Sequence, residues 1–420
     1  MGVSDFRKIR DANVEFKSIT SIPQMVYRNI LTDVCFDGSL YLYSGLIRNN
    51  MDGIDSYDLD KVADTVARKV LTTIDLIQHY KVRVGDVYIY FDGRKPCAKI
   101  PTMVARRIGR PIMDIEYVKV QVSRLLNNYD VKINNLIIGE SEHEMFIHRN
   151  ANRPTILVTD DSDIFHIAYN YDSRTVNDKI FVATKNLHFT CDMSTIYNNF
   201  NKMPKLIFTT LCAMRGCDYT PDLITNTMLN AIISEFKTPT SEATSRIISQ
   251  MNSICDVYKK QEFDIQTKLA KLQPSLYNKV SSVDDLVGDG PVVAEYEVMR
   301  EVYSIEDVVH CMRLIMMLLK CTKNSYRWNS VKIKGDNHSE ESYKIMCSNV
   351  IASIHWTVNY SLIGCRYEDY FKKVSRPGSV EPFVIYYVLL LASDDIFKTI
   401  EKTSLRNIDK VDVLKRLRDG

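Results

Sequence analysis

The chain has 420 residues, 45% hydrophobic and 25% charged, which is typical of a soluble globular protein of roughly two to three domains or one large domain with additions. The formal net charge of +2 excludes a polyanion-binding signature over the whole chain, so any nucleic-acid contact must depend on a local basic patch. The longest apolar run, 383–392, is too short to span a bilayer, and we expect a buried helix there and no membrane partner. The ten cysteines include no CxxC pair and no zinc-ligand spacing, which indicates reduced thiols in the cytoplasm, with the nucleus as the alternative.

The first half of the chain alternates between two kinds of apolar pattern. Short aliphatic runs predict strands at 31–43 (ending near Asp37), 86–91, 132–138, 155–159 and 180–183. Apolar residues at helical spacing predict helices at 57–81, 113–128, 140–149 and 206–215. Strands that alternate with helices indicate an α/β fold with a mostly parallel, doubly wound sheet flanked by helices.

The second half of the chain has a different, mainly helical pattern. Helical periodicity dominates 222–325, apart from the sequence GDGP at 288–291, which predicts a loop, and a polar stretch at 326–345 resembles a loop. Two further helices are predicted at 342–364 and 381–398. We therefore predict two domains, which are an α/β catalytic domain at 1–222 and a mainly helical C-terminal region at 223–420.

Acidic pairs follow two of the predicted strands. Glu140 and Glu142 come directly after the third strand, and Asp161 and Asp163 follow the fourth. Because open α/β sheets place their sites beyond the carboxyl ends of the strands, we expect both pairs to face one crevice. Four carboxylates there would repel one another unless cations neutralise them, and Mg²⁺ with its oxygen ligands is the natural partner. The sequence therefore predicts a magnesium-dependent phosphoryl-transfer site.

Three more acids fall at the ends of predicted elements, which makes a set of seven. Any one of them alone is more often a helix cap or a turn residue. Capping and turn formation do not easily explain why all seven acids fall at strand ends and helix starts. The seven acids are Asp37, Asp92, Glu140, Glu142, Asp161, Asp163 and Asp218.

A basic segment follows the second predicted strand. If this segment is helical, Lys99, Met103, Arg106 and Arg107 share one face. Two guanidinium groups can fork onto a phosphate and a lysine adds a point charge, so the segment suits phosphate binding. A solvated basic helix face is the alternative.

Six local strings occur in the order of one known family: MGVSDF, FDG, FDGRKPCAK, GESEH, TDDSD and GCDYTPD. Through them the chain resembles the XRN-type 5′→3′ exoribonucleases, within the superfamily of flap-endonuclease-like, PIN-like 5′ nucleases. The resemblance covers residues 1 to about 222 and resumes weakly at Trp328 and at 342–384, where an abbreviated second conserved region (about 326–384) is expected. A chain this short resembles a compact viral or divergent member.

The resemblance implies an activity and a role for each matched residue. The seven acids would hold one or two Mg²⁺ ions, or Mn²⁺ as the alternative, and hydrolyse RNA by a two-metal-ion mechanism. Lys99, Arg106 and Arg107 would line a pocket for the 5′-monophosphate of single-stranded RNA. Tyr43 stands where the family has a histidine that stacks on the first base, and an aromatic ring preserves that function, although a core tyrosine is the alternative.

The sequence also departs from the family pattern. Met103 replaces the glutamine expected in the phosphate pocket, and Glu144 stands where the family has lysine. The match to GESEH favours Glu140 and Glu142 over Glu142 and Glu144 as the acid pair. Residues 366–383 replace the tryptophan-rich segment that closes over the first base, and Tyr367, Tyr370 or Phe371 could substitute for its stacking tryptophan.

Two other functions fit parts of the sequence. A DNA-directed flap nuclease of the same superfamily would have a glycine-containing hairpin after Asp218, and this chain reads YTPDLITNTMLNAII there. A catalytically silent structural or RNA-binding protein would suit the departures at Met103 and Glu144. Retention of seven acids argues against the silent form, because a buried acid cluster without cations is destabilising.

Overall fold

The computed structural model describes residues 30–42, 58–93, 114–135, 139–161, 163–171, 178–184, 187, 190–193, 196–200, 202–271, 302–322 and 340–364. The strands are β1 Thr32–Asp37, β2 Val84–Phe91, β3 Val131–Asn135, β4 Thr155–Val158, β5 Ile180–Ala183 and β6 Thr190–Asp192. They form one six-stranded sheet in the order β3-β2-β1-β4-β5-β6. The pairs from β3 to β5 are parallel, and β6 is antiparallel to β5 at the edge.

Helices cover both faces of the sheet. The helices that flank the strands are α1 Leu59–His79, α2 Ile115–Leu126, α3 Ser141–Ile147, α4 Asp163–Tyr169, α5 Ile196–Asn199 and α6 Lys205–Arg215. Alternate residues of β1 enter different clusters, because successive strand side chains point to opposite faces. Val34 and Phe36 pack with α1 and α2, and Cys35 packs with α3, α4 and α6. The central strands β1, β4 and β5 are therefore buried on both faces, and the aliphatic runs of β4 and β5 suit that position.

The C-terminal helices extend one of these two cores. They are α7 Asn226–Lys237, α8 Glu242–Asp256, α9 Lys259–Lys271, α10 Ile305–Cys321 and α11 Glu340–Ile363. A single hydrophobic cluster includes Cys35 of β1, Phe208 of α6, Leu229 of α7, Leu314 of α10 and Ile354 of α11. The domain boundary near residue 222 stays a prediction, and this cluster contains residues from both sides of it.

The predicted fold class is confirmed, since the described sheet is mostly parallel and has helices on both faces. The predicted strand at 180–183 has the observed bounds, and helix α1 lies within the predicted 57–81. The strand expected at 31–43 ends at Asp37, and residues 38–42 are helical. The side chain of Asp37 explains this ending, because its Oδ1 accepts a hydrogen bond from Leu40 N at 3.0 Å. The helix predicted at 381–398 and the GDGP loop lie outside the described residues.

Strand β6 was not predicted. It has three residues, and a segment of that length carries too little alternation to be recognised from sequence. Among the described helices, none combines the length and apolar character needed to cross a membrane.

Candidate active site

The predicted acids follow strands that are neighbours in the sheet. The chain runs from β1 to β2 and β3 on one side, and then returns to place β4 on the other side of β1. Asp37 ends β1, Asp92 follows β2 and Asp161 lies just past β4, so three acids meet at this reversal of strand order. In open α/β sheets this is the position of the ligand-binding crevice.

Asp37 lies at the centre of the acid cluster. Its side chain is buried, with Oδ2 accepting a hydrogen bond from Thr159 Oγ1 at 3.0 Å and Oδ1 accepting from Leu40 N at 3.0 Å. Burial raises the pKa of the Asp37 carboxyl to about 7, and the charges of Asp92 and Asp161 add to this rise. The two hydrogen bonds oppose the rise and fix the orientation of the carboxyl group.

Helix α3 brings its acids to the same point. Ser141 N, at the start of α3, donates a hydrogen bond to Asp92 Oδ1 at 2.9 Å, so an acid from another strand end caps this helix. Burial raises the pKa of Glu142 well above its usual range. The negative charges of four other acids raise it further: Asp37, Asp92, Asp161 and Glu140. Asp37, Asp92, Asp161 and Glu140 therefore all lie within electrostatic reach of Glu142.

The second acid pair forms a turn at the start of α4. Asp161 N donates to Thr159 Oγ1 at 3.1 Å, and Asp163 N donates to Asp161 Oδ1 at 3.0 Å. This is an Asx turn, in which an aspartate accepts a hydrogen bond from the backbone two residues later. Thr159 therefore contacts both Asp37 and Asp161 and connects two acids from adjacent strand ends.

Glu140 is held by two tyrosine hydroxyl groups. Its Oε2 accepts hydrogen bonds from Tyr219 Oη at 2.9 Å and from Tyr360 Oη at 2.7 Å. Tyr219 directly follows Asp218, which is buried in the turn between α6 and α7. That turn begins at Gly216, whose φ of +91° favours glycine, and a β-carbon there would lie 1.9 Å from Asp222 Oδ1.

A small cavity lies beside Glu140, between α3, α4, α6 and α11. Its free volume is about 20 Å³, which is room for a water molecule. Burial lowers the pKa of His143 to about 4 and that of His166 to about 3, so both rings are neutral at pH 7. The cavity is lined by Glu140, His143, Asp163, His166, Ile167, Cys212, Ala213, Cys217, Tyr219, Thr357, Tyr360 and Ser361.

The acid cluster suits a hard divalent cation by charge and by donor type. Within the described ranges, no three His, Cys, Asp or Glu side chains are already arranged as a metal cage. Mg²⁺ does not require one, because it usually keeps several waters and binds one or two carboxylates. The raised pKa values of Asp37 and Glu142 indicate that these carboxyl groups fit a divalent cation, since a nearby cation would favour the ionised form of both.

The structure brings five of the seven predicted acids together. The other two, Asp163 and Asp218, lie close to Glu140. Asp163 shares the cavity wall with Glu140, and Asp218 precedes a tyrosine that binds Glu140. Glu144 instead contacts His148, with Oε2 and Nε2 2.7 Å apart. The predicted substrate residues Tyr43, Lys99, Arg106 and Arg107 lie outside the described residues, as do Met103, Tyr367, Tyr370 and Phe371.

Sequence reasoning missed four residues that contact the acids. Tyr219 could have been found, because it lies next to Asp218 in the string GCDYTPD. Thr159 and Tyr360 had no sequence signal, since each makes its contact across more than a hundred residues. Lys119 was also missed: its buried Nζ donates to the backbone carbonyl of Asp92 at 3.0 Å.

The fold and the site together define an α/β protein with a buried acid cluster at the carboxyl edge of a mostly parallel sheet. No protein-family model and no curated protein sequence matches the chain. Among solved structures, it is similar to the catalytic core of Rad2 in complex with DNA substrate, at a TM-score of 0.40 and 13% identity over 100% of both chains. A further Rad2 complex gives 0.40 and 16% identity, covering 77% of this chain and 95% of that one. The T5 D15 protein co-crystallised with metal ions gives 0.31 and 9% identity, covering 79% of this chain and 99% of that one.

Proposed function

We propose that this protein is a metal-dependent 5′ nuclease that hydrolyses phosphodiester bonds, and that its substrate is single-stranded RNA with a 5′-monophosphate end. The observation that carries the proposal is the group of five acids at the strand-order reversal, in which Asp37 and Glu142 have raised pKa values. Carboxylates held this close favour protonation in the absence of a cation, and a divalent ion would offset their repulsion. Such a cluster in a crevice is typical of a functional site.

Each described residue has a role in this proposal. When bound, Mg²⁺ would activate water and stabilise the charge that develops on the reacting phosphate. Asp37 and Glu142 would hold the ion, and Thr159 orients Asp37 through its hydroxyl group. Asp92 is fixed by Ser141 N, so its carboxylate does not need to be ordered when the ion binds.

The choice of RNA and of its 5′ end rests on sequence. The resemblance to XRN-type exoribonucleases supports it, together with the basic residues Lys99, Arg106 and Arg107 and the aromatic ring of Tyr43. If these side chains hold the 5′-phosphate, as the resemblance implies, the enzyme would be an exonuclease that starts at the 5′ end.

A time course with end-labelled RNA and DNA tests the proposal. The substrates should carry 5′-phosphate, 5′-hydroxyl or capped ends, and each should be incubated with Mg²⁺, with Mn²⁺ or with EDTA. We expect loss of 5′-phosphorylated RNA in Mg²⁺ and no loss in EDTA. The double variant Asp161→Asn, Asp163→Asn should be inactive and folded, because asparagine can still accept the hydrogen bond of the Asx turn.

The matched control is Glu242→Gln, an exposed acid on α8 that is paired with Arg246 and should leave activity unchanged. Preference for DNA over RNA would refute the proposed substrate and assign the chain to DNA. Failure to degrade any substrate in either divalent ion, Mg²⁺ or Mn²⁺, would refute nuclease activity.

A further inference from the structure

The carboxylate of Glu140 is bound by two tyrosines that come from distant parts of the chain. Tyr219 lies 79 residues away, in the turn after α6, and Tyr360 lies 220 residues away, in α11. Both hydroxyl groups donate to the same oxygen, Oε2, and all three side chains are buried. Hydrogen bonds to a charged acceptor are the stronger kind, and burial strengthens them further.

Ring packing fixes where the two hydroxyl groups point. Tyr360 is stacked on Trp356, with ring centroids 4.8 Å apart and an interplanar angle of 16°. Tyr219 meets both rings edge-on, at 4.9 Å from Trp356 and 5.3 Å from Tyr360. The ring of His143 packs edge-on against the other side, 4.9 Å from Tyr360. Close packing of these rings restricts the movement of Tyr219 and Tyr360, so their hydroxyl groups stay directed at Glu140.

Helix α11 is itself anchored, so Tyr360 does not move with a loose segment. Asn359 Oδ1 accepts hydrogen bonds from Val302 N at 2.8 Å and from Tyr303 N at 3.0 Å. The His355 ring lies within hydrogen-bonding distance of the Tyr303 carbonyl, with Nε2 2.9 Å from it. These buried contacts fix the rotation of α11 about its axis and place residue 360 on the side that faces Glu140.

The two donors also fix the orientation of the Glu140 carboxylate. A carboxylate oxygen has two lone pairs, and both lone pairs of Oε2 can be occupied by the two hydroxyl groups. We propose that Tyr219 and Tyr360 are positioning residues, which fix the orientation of the Glu140 carboxylate for binding of a divalent cation. This inference rests on the proposed metal site, and it makes α11 a part of that site.

The inference predicts that cation affinity depends on the two hydroxyl groups. Partners of this kind, one contact away from the metal, typically change affinity by about 10- to 100-fold when they are removed. Tyr219→Phe and Tyr360→Phe keep the rings and remove only the hydroxyl groups, so the packing of the three aromatic side chains should persist. We expect each variant to weaken Mn²⁺ binding by about tenfold and the double variant to weaken it further.

Mn²⁺ binding to the full-length chain, measured by isothermal titration and by electron paramagnetic resonance, provides a readout that does not depend on turnover. Tyr171→Phe is the matched control, because its hydroxyl group lies 3.5 Å from the Leu362 carbonyl of α11 and does not donate to Glu140. In a Glu140→Gln background, Tyr360→Phe should have little further effect on Mn²⁺ affinity, since the two changes remove the same interaction.

Each outcome of the titrations supports or overturns the inference. Weaker binding in the Glu140-directed variants, with unchanged binding in Tyr171→Phe, supports it. Equal binding in the wild type and in the Tyr219→Phe, Tyr360→Phe double variant overturns it and leaves the proposed metal site intact. An equal loss in Tyr171→Phe also overturns it, because the effect would then come from packing of α11. A wild-type chain that binds no Mn²⁺ refutes the proposed function itself, and this inference with it.

Discussion

Replacing Asp37 with asparagine should stabilise the metal-free protein above pH 7. Burial, with the charges of Asp92 and Asp161, raises the pKa of the Asp37 carboxyl from 3.8 to about 7. Each pH unit between the unfolded and folded pKa values corresponds to about 1.4 kcal/mol, so the ionised form destabilises the folded chain by up to about 4 kcal/mol. Asparagine removes the charge and can still accept from Leu40 N and donate to Thr159 Oγ1.

The direction of the shift gives the pH dependence. Because the folded state binds this proton more tightly than the unfolded chain, the stability it contributes is complete below pH 4 and is lost as the pH rises to about 7. The gain from Asp37→Asn should therefore be largest at pH 8. At pH 5 it should be about 1.6 kcal/mol, less than half of the full value.

Urea unfolding in EDTA at pH 5 and pH 8, followed by far-ultraviolet circular dichroism, measures both free energies. Asp178→Asn is the control, because it should lower the free energy of unfolding where Asp37→Asn raises it. Asp178 is also buried but forms an ion pair with Arg149, with Nη2 and Oδ2 2.7 Å apart, so its loss should cost about 3–5 kcal/mol. If Asp37→Asn destabilises the chain at pH 8 in EDTA, Asp37 is not repelled by its neighbours and the acid cluster is misplaced.

Three further predictions concern the cation, the turn before Asp218 and the substrate end. Saturating Mg²⁺ should raise the melting temperature of the wild type by more at pH 8 than at pH 5, because protons compete for carboxyls with raised pKa values; an equal rise at both would contradict this. Gly216→Ala should lower the free energy of unfolding by more than about 1 kcal/mol, and by more than Gly364→Ala, whose β-carbon would meet nothing closer than 3.6 Å. Arg106→Ala should reduce the ratio of initial rates on 5′-phosphorylated and 5′-hydroxyl RNA, and an unchanged ratio would remove Arg106 from the phosphate pocket.

Local chemistry explains which parts of the structure could be predicted from the sequence. Apolar runs identified β4 and β5, and the position of Asp37 at a strand end follows from one such run. The crevice also follows, since parallel strands bring their carboxyl ends to one edge. Contacts across long stretches of chain carry no such signal. Thr159 with Asp37 and Tyr360 with Glu140 depend on how whole elements pack, and no periodicity in either segment points to its partner.

The capping of α3 shows the same limit in a different way. Glu140 occupies the cap position but makes no side-chain capping hydrogen bond, and the helix receives its cap from Asp92 instead. A local rule would have sought the cap next to α3 in the sequence and left Asp92 as a turn residue. Because Asp92 caps the helix, the carboxylate of Glu140 instead accepts hydrogen bonds from Tyr219 and Tyr360.

Helix α6 constrains how this protein can change in evolution. All 11 of its residues are buried, because α4 of the α/β half contacts it, as do α7, α8, α10 and α11 of the C-terminal region. A chain that lost the C-terminal helices would expose an apolar helix which leads directly into Asp218 and Tyr219. Genetic exchange of the α/β half alone would therefore be selected against, and the two halves should be inherited and lost together.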